Sequence, residues 1–543
     1  MRSRGRLVTL LLLSALLPVL EAAVLLAVGL RAADGLPPQV TAIWPYDSYH
    51  DLRWLLVYHN SWESFLVGLL GVTLLRGLLS VALTLLAWPA GVPRPDRGWL
   101  VRRNLEVALL AAVVVSPWAA LSVAFSVVSL SWYLFASLGP LLLLAPFLVR
   151  AGVVPDWWRG LPTIELAGWA WLNFVVLTLA GALMAWSPGG WMLPVAALAG
   201  VVNGLLWQRT VAAAVLPARV RWARVPVAPV AVVLAMAGAV WTPALIGAIG
   251  GGENVDWRPP ILAEPLPAKV PQAVIVLGGH HSHWDGSPAA DPRVERFSYR
   301  GLDAQGRPLP YEPDATHQSL DSSSALLAAQ VDALHKRTRR PIALVGESEG
   351  AMVARTFLER LPSGPVTAVV LFDPLVQPGR AYYPPPGHEG WGVATGWQLR
   401  GIFWLANLPQ EHKDVPDSPF VRSLLAEAPF YRNRTLCPVA GVRMIAFLPT
   451  VSAAEAPPGE YSQIPVYEQP ALHGGVVGGQ IAGDRVTDFL AGGPVRRLRS
   501  EYRFLQRLGA AWQAPSLAAS VNPIWAATRE GDPARTGRKC ESR

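Results

Sequence analysis

Apolar positions fall into two regimes along this chain. Up to about residue 250 they run in long, nearly unbroken blocks; beyond it they come in short bursts divided by polar turns. The blocks lie at roughly 7–30, 65–88, 105–126, 129–149, 164–186, 191–207 and 228–249. Each approaches the ~20 residues a helix needs to cross a bilayer. With 105–149 taken as two helices joined by a tight turn near Ser129 and Ser131, residues 1–250 are expected to form an all-α transmembrane bundle of about seven spans. Residues 251–270, opening Gly-Gly-Glu-Asn and then rich in proline, read as a linker.

Beyond the linker the bursts alternate in kind. Strands are expected at 273–277, 296–299, 342–345, 366–372, 442–448 and 464–468, with helices at 319–336, directly after 350, and near 483–491. Such alternation argues for an α/β domain over 271–492, a mostly parallel sheet with helices on both faces. Catalytic groups in such sheets sit at the carboxyl ends of the strands. Residues 493–543 form a basic tail, with a helix near 495–512 carrying Arg496, Arg497, Arg499, Arg503 and Arg507. That helix reads as a solvated face, with contact to anionic headgroups as the sharper alternative.

Composition and charge sharpen the membrane reading. Hydrophobic residues make up 52% of the chain and charged residues 15%, against about 25% charged in ordinary soluble domains. Arg2, Arg4 and Arg6 precede the first block, and Arg94, Arg97, Arg102 and Arg103 separate the second and third. Arg150 and Arg159 follow the fourth, and Arg209, Arg219, Arg221 and Arg224 follow the sixth, whereas the alternate loops carry only Arg31 and Arg53. The positive-inside rule then puts the N-terminus in the cytoplasm and, with seven spans, the α/β half outside the cell membrane. The first block is long and lacks a small-residue cleavage pattern, so it reads as an anchor. Glu21 and Arg76 fall at similar depths and are expected to pair as a structural helix–helix contact. The net charge of +8 comes from cytoplasmic loops and the tail, with no nucleic-acid-binding motif beside it. Cys437 and Cys540 both fall in the outer half, and whether they pair is open.

The chemistry centres on Gly346-Glu347-Ser348-Glu349-Gly350, which follows a strand pattern and opens a helix. G-x-S-x-G in that setting is a nucleophile elbow, with Ser348 held clear of the sheet beside a helix N-terminus. Gly278-Gly279-His280-His281 follows the first strand, Leu371-Phe372-Asp373-Pro374 closes the strand after the elbow, and Leu472-His473-Gly474-Gly475 follows the last strand. This order of parts resembles the α/β-hydrolase superfamily over about 270–492. The resemblance implies His473 as general base and backbone N–H groups of Glu349 and of Gly279 or His280 as the oxyanion hole. The acid departs from the commonest pattern, because Leu448-Pro449-Thr450-Val451-Ser452 holds no carboxylate. Asp373 resembles the aspartate some lipases carry one strand earlier; Glu455 is the alternative, with Glu460, Asp484 or a degenerate triad behind it.

Residues 376–436 form a long insert with Tyr382, Tyr383, Trp391, Trp397, Phe403 and Trp404 and a helical run near 418–428, read as a lid over an apolar acyl pocket. His280, His281 and His283 have H-H-x-H spacing without the carboxylate partner pattern of a metal motif, so they are read as lining the pocket mouth or facing solvent, with no metal or cofactor expected. Glu347 and Glu349 read as carboxylates favoured by the helix dipole. The expectation is an integral membrane serine hydrolase acting on a carboxylic ester, lipid esters included. Acyl transfer with the same residues, or a non-catalytic hydrolase-like binding domain, are the rival readings. Acyl and alcohol specificity and oligomeric state stay open.

Overall fold

The computed structural model describes residues 2–30, 33–125, 132–217, 220–221, 259–360, 364–376, 382–408, 413–426, 435–449, 464–469, 471, 473–478, 480–495, 508–517 and 521, with isolated positions between 229 and 237. The first half holds helices α1 (Arg2–Val28), α2 (Tyr46–Tyr58), α3 (Trp62–Ala87), α4 (Arg97–Phe125), α5 (Trp132–Val153), α6 (Ile164–Trp186) and α7 (Met192–Ala214). Five of these, α1, α3, α4, α6 and α7, are long and apolar enough to cross a membrane. Ser137–Val153 of α5 is a shorter apolar helix, and most of the block expected at 228–249 lies outside the described residues.

Hydropathy gave no warning of α2, whose sequence YDSYHDLRWLLVY is too polar for a span. It is nonetheless buried among the apolar helices, because its polar groups find partners there. His50 lies 3.0 Å from Glu21 of α1 and 2.8 Å from Asp51. Arg76 of α3 donates from Nε to Asp51 Oδ2 over 2.5 Å. The expected Glu21–Arg76 pair is therefore a chain of four side chains, Glu21–His50–Asp51–Arg76, with two members supplied by α2.

The segment after the tail's arginines enters the same bundle. Residues 496–507 lie outside the described residues, but Ala511, Trp512, Ala514 and Leu517 are buried against the helical half. Trp512 stacks on Phe174 of α6 with ring centres 4.5 Å apart and donates from Nε1 to Thr178 over 2.8 Å. Arg53 of α2 donates to the Gln513 carbonyl over 2.6 Å. Two glycines admit this stretch of chain: a Cβ on Gly35 would lie 2.6 Å from the Ala510 carbonyl, and one on Gly181 would lie 2.9 Å from the Ala511 Cα. That end of the expected tail helix is thus packed, not solvated.

The second half is built on strands β1 (Ala273–Leu277), β2 (Val294–Arg296), β3 (Ile342–Glu347), β4 (Val366–Phe372), β5 (Arg443–Pro449) and β6 (Val466–Gln469). They form one parallel sheet in the order β2-β1-β3-β4-β5-β6. The near-continuous apolar runs follow from burial on both faces. Ile275 and Leu277 pack on one side with α8 (Leu320–Thr338) and α9 (Glu349–Arg360), while Val274 and Val276 pack on the other with α12 (Gln480–Leu490).

Among its described residues the insert carries two further helices, α10 (Val393–Ala406) and α11 (Pro419–Ala426). Only the second was visible in the sequence pattern. α10 docks on the helical half: His59, at the end of α2, accepts from the Gly392 N–H through its carbonyl over 2.9 Å and from the Ala394 N–H through Nε2 over 2.8 Å. Thr395 donates to the Leu56 carbonyl over 2.8 Å, and Trp118 and Leu121 of α4 pack against Tyr383 and Leu399. Cys437, just past the insert, is disulfide-bonded; Cys540 lies outside the described residues.

Removing one partner of a buried ion pair leaves the other uncompensated. Asp51→Ala should therefore cost about 3–5 kcal/mol, and the Asp51→Ala/Arg76→Met double variant should cost less than the sum of the two single changes. A denaturation cycle on the detergent-solubilised chain measures both.

Candidate active site

The end of β3 is a steric problem with one kind of solution. Ser348 sits at φ +48°, in the left-handed region, so the chain reverses there from strand to helix. A Cβ on Gly346 would lie 2.6 Å from the Gly350 carbonyl carbon, and one on Gly350 would lie 2.5 Å from the Leu277 carbonyl oxygen. Both glycines of the motif are thus required by close approach of backbone. The Ser348 N–H donates to the Phe372 carbonyl over 2.9 Å, which stitches the turn to the end of β4. Its Oγ lies 2.8 Å from His473 Nε2.

His473 comes from the loop between β6 and α12, 125 residues away in sequence. Asp373 is the first residue beyond β4, also left-handed at φ +46°, with its N–H donating to the Phe447 carbonyl over 2.9 Å. Its Oδ2 accepts from the Gly474 N–H over 2.6 Å, so it grips the histidine loop one residue past the imidazole. Oδ1 is buried without a hydrogen-bond partner. Burial pushes Asp373 up to about 7 and pulls His473 down to about 4. The structure therefore brings Ser348, His473 and Asp373 to one edge of the sheet, with the aspartate bonded to the histidine's loop and not to its ring. Glu455 and Glu460 lie outside the described residues, and Asp484 is exposed on α12.

The turn after β1 closes over the serine. A Cβ on Gly279 would lie 3.3 Å from Ser348 Cβ, and Tyr299 holds the turn by donating to the Gly278 carbonyl over 2.7 Å. Glu347 lies between this turn and the histidine loop: a Cβ on Gly279 would be 3.8 Å from its Oε2, and one on Gly474 would be 3.9 Å from its Oε1. Glu349 is no surface charge at a helix end, since its side chain is fully buried and its Oε2 lies 2.8 Å from His280 Nδ1. Burial raises Glu349 to about 7 against the pull of His280. His280 is lowered by burial, but its bonds to Asp414 and Glu349 prevail and hold it at about 9.

A second cluster adjoins this turn. The ligand-type atoms of His280, His281, His317 and Asp414 all lie within 4.8 Å of one another. Of the three histidines with H-H-x-H spacing, His283 is not a member. His317, from a short 3-10 helix at Pro313–His317, and Asp414, from the insert, take its place. Local spacing carries no signal for these two, because they reach the turn from distant segments. His281 sits at φ +62°, which turns two consecutive imidazoles toward the same side.

Compared with known protein families, curated proteins and solved structures, the chain matches none of them.

The tight turn gives a direct test. Gly350→Ala would drive a methyl group into the β1 backbone and should destabilise the α/β half by about 1–3 kcal/mol. Gly401→Ala, on α10 where a Cβ meets nothing within 4 Å, should be neutral or stabilising. Thermal midpoints of the two variants in one detergent check the contrast.

Proposed function

We propose that this chain is an integral membrane serine hydrolase with an α/β-hydrolase domain, cleaving a carboxylic ester through an acyl-enzyme on Ser348. The observation that carries the reading is the 2.8 Å contact between Ser348 Oγ and His473 Nε2, made by a serine held in the left-handed turn at the carboxyl edge of a parallel sheet. A serine hydroxyl is a weak nucleophile unless an adjacent base takes its proton. The chain order of serine, carboxylate and histidine is also the one used by that fold.

The mechanism follows from these positions. His473 takes the Ser348 proton as Oγ attacks the ester carbonyl. The oxyanion is received by the backbone N–H of Glu349 with that of Gly279 or His280. His473 then protonates the departing alcohol, and a water activated by the same imidazole releases the acid. Asp373 holds the histidine loop through Gly474, and its unpartnered Oδ1 is the acceptor available to the imidazolium as it forms. Low electrostatic screening in this buried setting strengthens that interaction.

A membrane-proximal, lipid-like ester fits the insert, whose α10 rests on the helical half while exposing Trp397, Trp404 and Leu405. The arginine distribution favours an active site outside the cytoplasmic membrane.

A fluorophosphonate probe should label the wild-type chain and leave Ser348→Ala unlabelled; equal labelling of both would sink the proposal. Asp373 works as the carboxylate, so labelling should fall as pH drops through its value of about 7. His473, at about 4, stays neutral across that range. Asp373→Asn should lose on the order of 10³–10⁴-fold in rate and with it the limb near pH 7, as labelling rates measured against pH will show.

A further inference from the structure

We infer that His280, His281, His317 and Asp414 form a binding site for a divalent transition metal of the zinc class, linking the insert to the turn beside Ser348. The donor set is three imidazoles and one carboxylate, a combination that suits zinc and its neighbours better than calcium or magnesium. Four protein donors make a closed site of the structural kind.

The geometry favours an ion over a network of hydrogen bonds. His280 Nε2 and His281 Nε2 lie 3.3 and 2.7 Å from the same oxygen, Asp414 Oδ1. Yet His281 Nε2 makes no hydrogen bond, and neither does His317 Nε2, though both atoms are buried. His281 Nε2 is close to Asp414 without meeting hydrogen-bond geometry, and His317 Nε2 is buried beside it without a partner, an arrangement a shared cation satisfies. Around a tetrahedral ion with bonds of ~2.0 Å, neighbouring donors are about 3.3 Å apart. The largest separation here is 4.8 Å, so the side chains would draw in around the ion.

The surroundings are also those of a built site. Metal-bound imidazoles almost always give their second nitrogen to a carboxylate or carbonyl, which fixes ring and tautomer. His280 does this through Nδ1 to the buried Glu349, 2.8 Å away. His317 stacks on His280 and His281 with ring centres 4.8 and 5.1 Å apart, His280 and His281 tilt against each other at 4.7 Å, and Phe420 stacks on His280 at 4.8 Å.

Each donor group arrives on a different segment: the turn after β1, the 3-10 helix and the insert. An ion there ties the insert to the chain that closes over Ser348, independently of what Ser348 does.

The test uses the full chain, purified in detergent with a tag free of histidine, stripped with chelator, equilibrated with zinc chloride and desalted. Elemental analysis should find about one zinc per wild-type chain. His317→Ala and Asp414→Asn should not retain it, whereas Asp414→His, which restores a donor, should. Glu349→Gln keeps all four donors and should weaken binding roughly 10–100-fold. Failure of the wild type to retain zinc, or equal retention by His317→Ala and Asp414→Asn, would overturn the site. If the variants do not fold, the cobalt-loaded wild type decides. Intense visible bands of four-coordinate cobalt support the inference, and the weak bands of six-coordinate cobalt overturn it.

Discussion

A charged helix buried among apolar ones has to be matched group by group, and in this chain that constraint organises the whole molecule. α2 brings Asp47, His50, Asp51 and Arg53 into a setting with little water, where each unmatched charge would be costly. The partners come from every direction. Glu21 and Arg76 reach in from α1 and α3. The Tyr46 hydroxyl donates to the Ala170 carbonyl of α6, and Tyr49 shares a hydrogen bond with Ser137 of α5. Arg53 secures the late segment around Trp512, and His59 at the helix end secures the insert. α2 is thus the common attachment point of the apolar helices, the chain's late segment and the insert of the α/β half.

The α/β half depends on a different economy of space. A parallel sheet places the residue after each strand at one edge, and neighbouring strands there come within a hydrogen bond. Ser348 and Asp373 follow adjacent strands, and each donates its N–H to the end of the next strand along. Both adopt left-handed backbone conformations, which cost of order 1–3 kcal/mol each and persist only where the surroundings impose them. Here the close-packed glycines at 346 and 350 and the cross-strand bonds impose them. Proximity of the proposed nucleophile and carboxylate is therefore a product of sheet geometry, the two residues following neighbouring strands.

What could be read from the sequence was what is local. The elbow at Ser348 is a strand, a glycine-framed turn and a helix in sixteen consecutive residues, 340–355, so its form was plain. His473 and Asp373 were legible from their places at the ends of strands. Features that depend on distant partners were not. α2 looked unlike a span because its charges are matched only in three dimensions. The expected direct pairing of Glu21 with Arg76 missed the two residues between them for the same reason. His317 and Asp414 had no spacing to betray them, and Glu349 looked like a helix-end charge until its partner His280 came into view. Trp512, in a segment beginning with arginines, gave no sign that a stacking partner waited in α6.

That late tryptophan fixes an order of events. Trp512 follows its partner Thr178 by 334 residues, so the ribosome has made the entire α/β half before the gap between α2 and α6 can be filled. Contacts this far apart in sequence form late and slowly. Until then the helical half is a vessel with one stave missing, its Arg53 and Gln39 facing an opening. The last stave is cut from chain that follows the α/β half, so packing of the helical half is completed only after that half has been made.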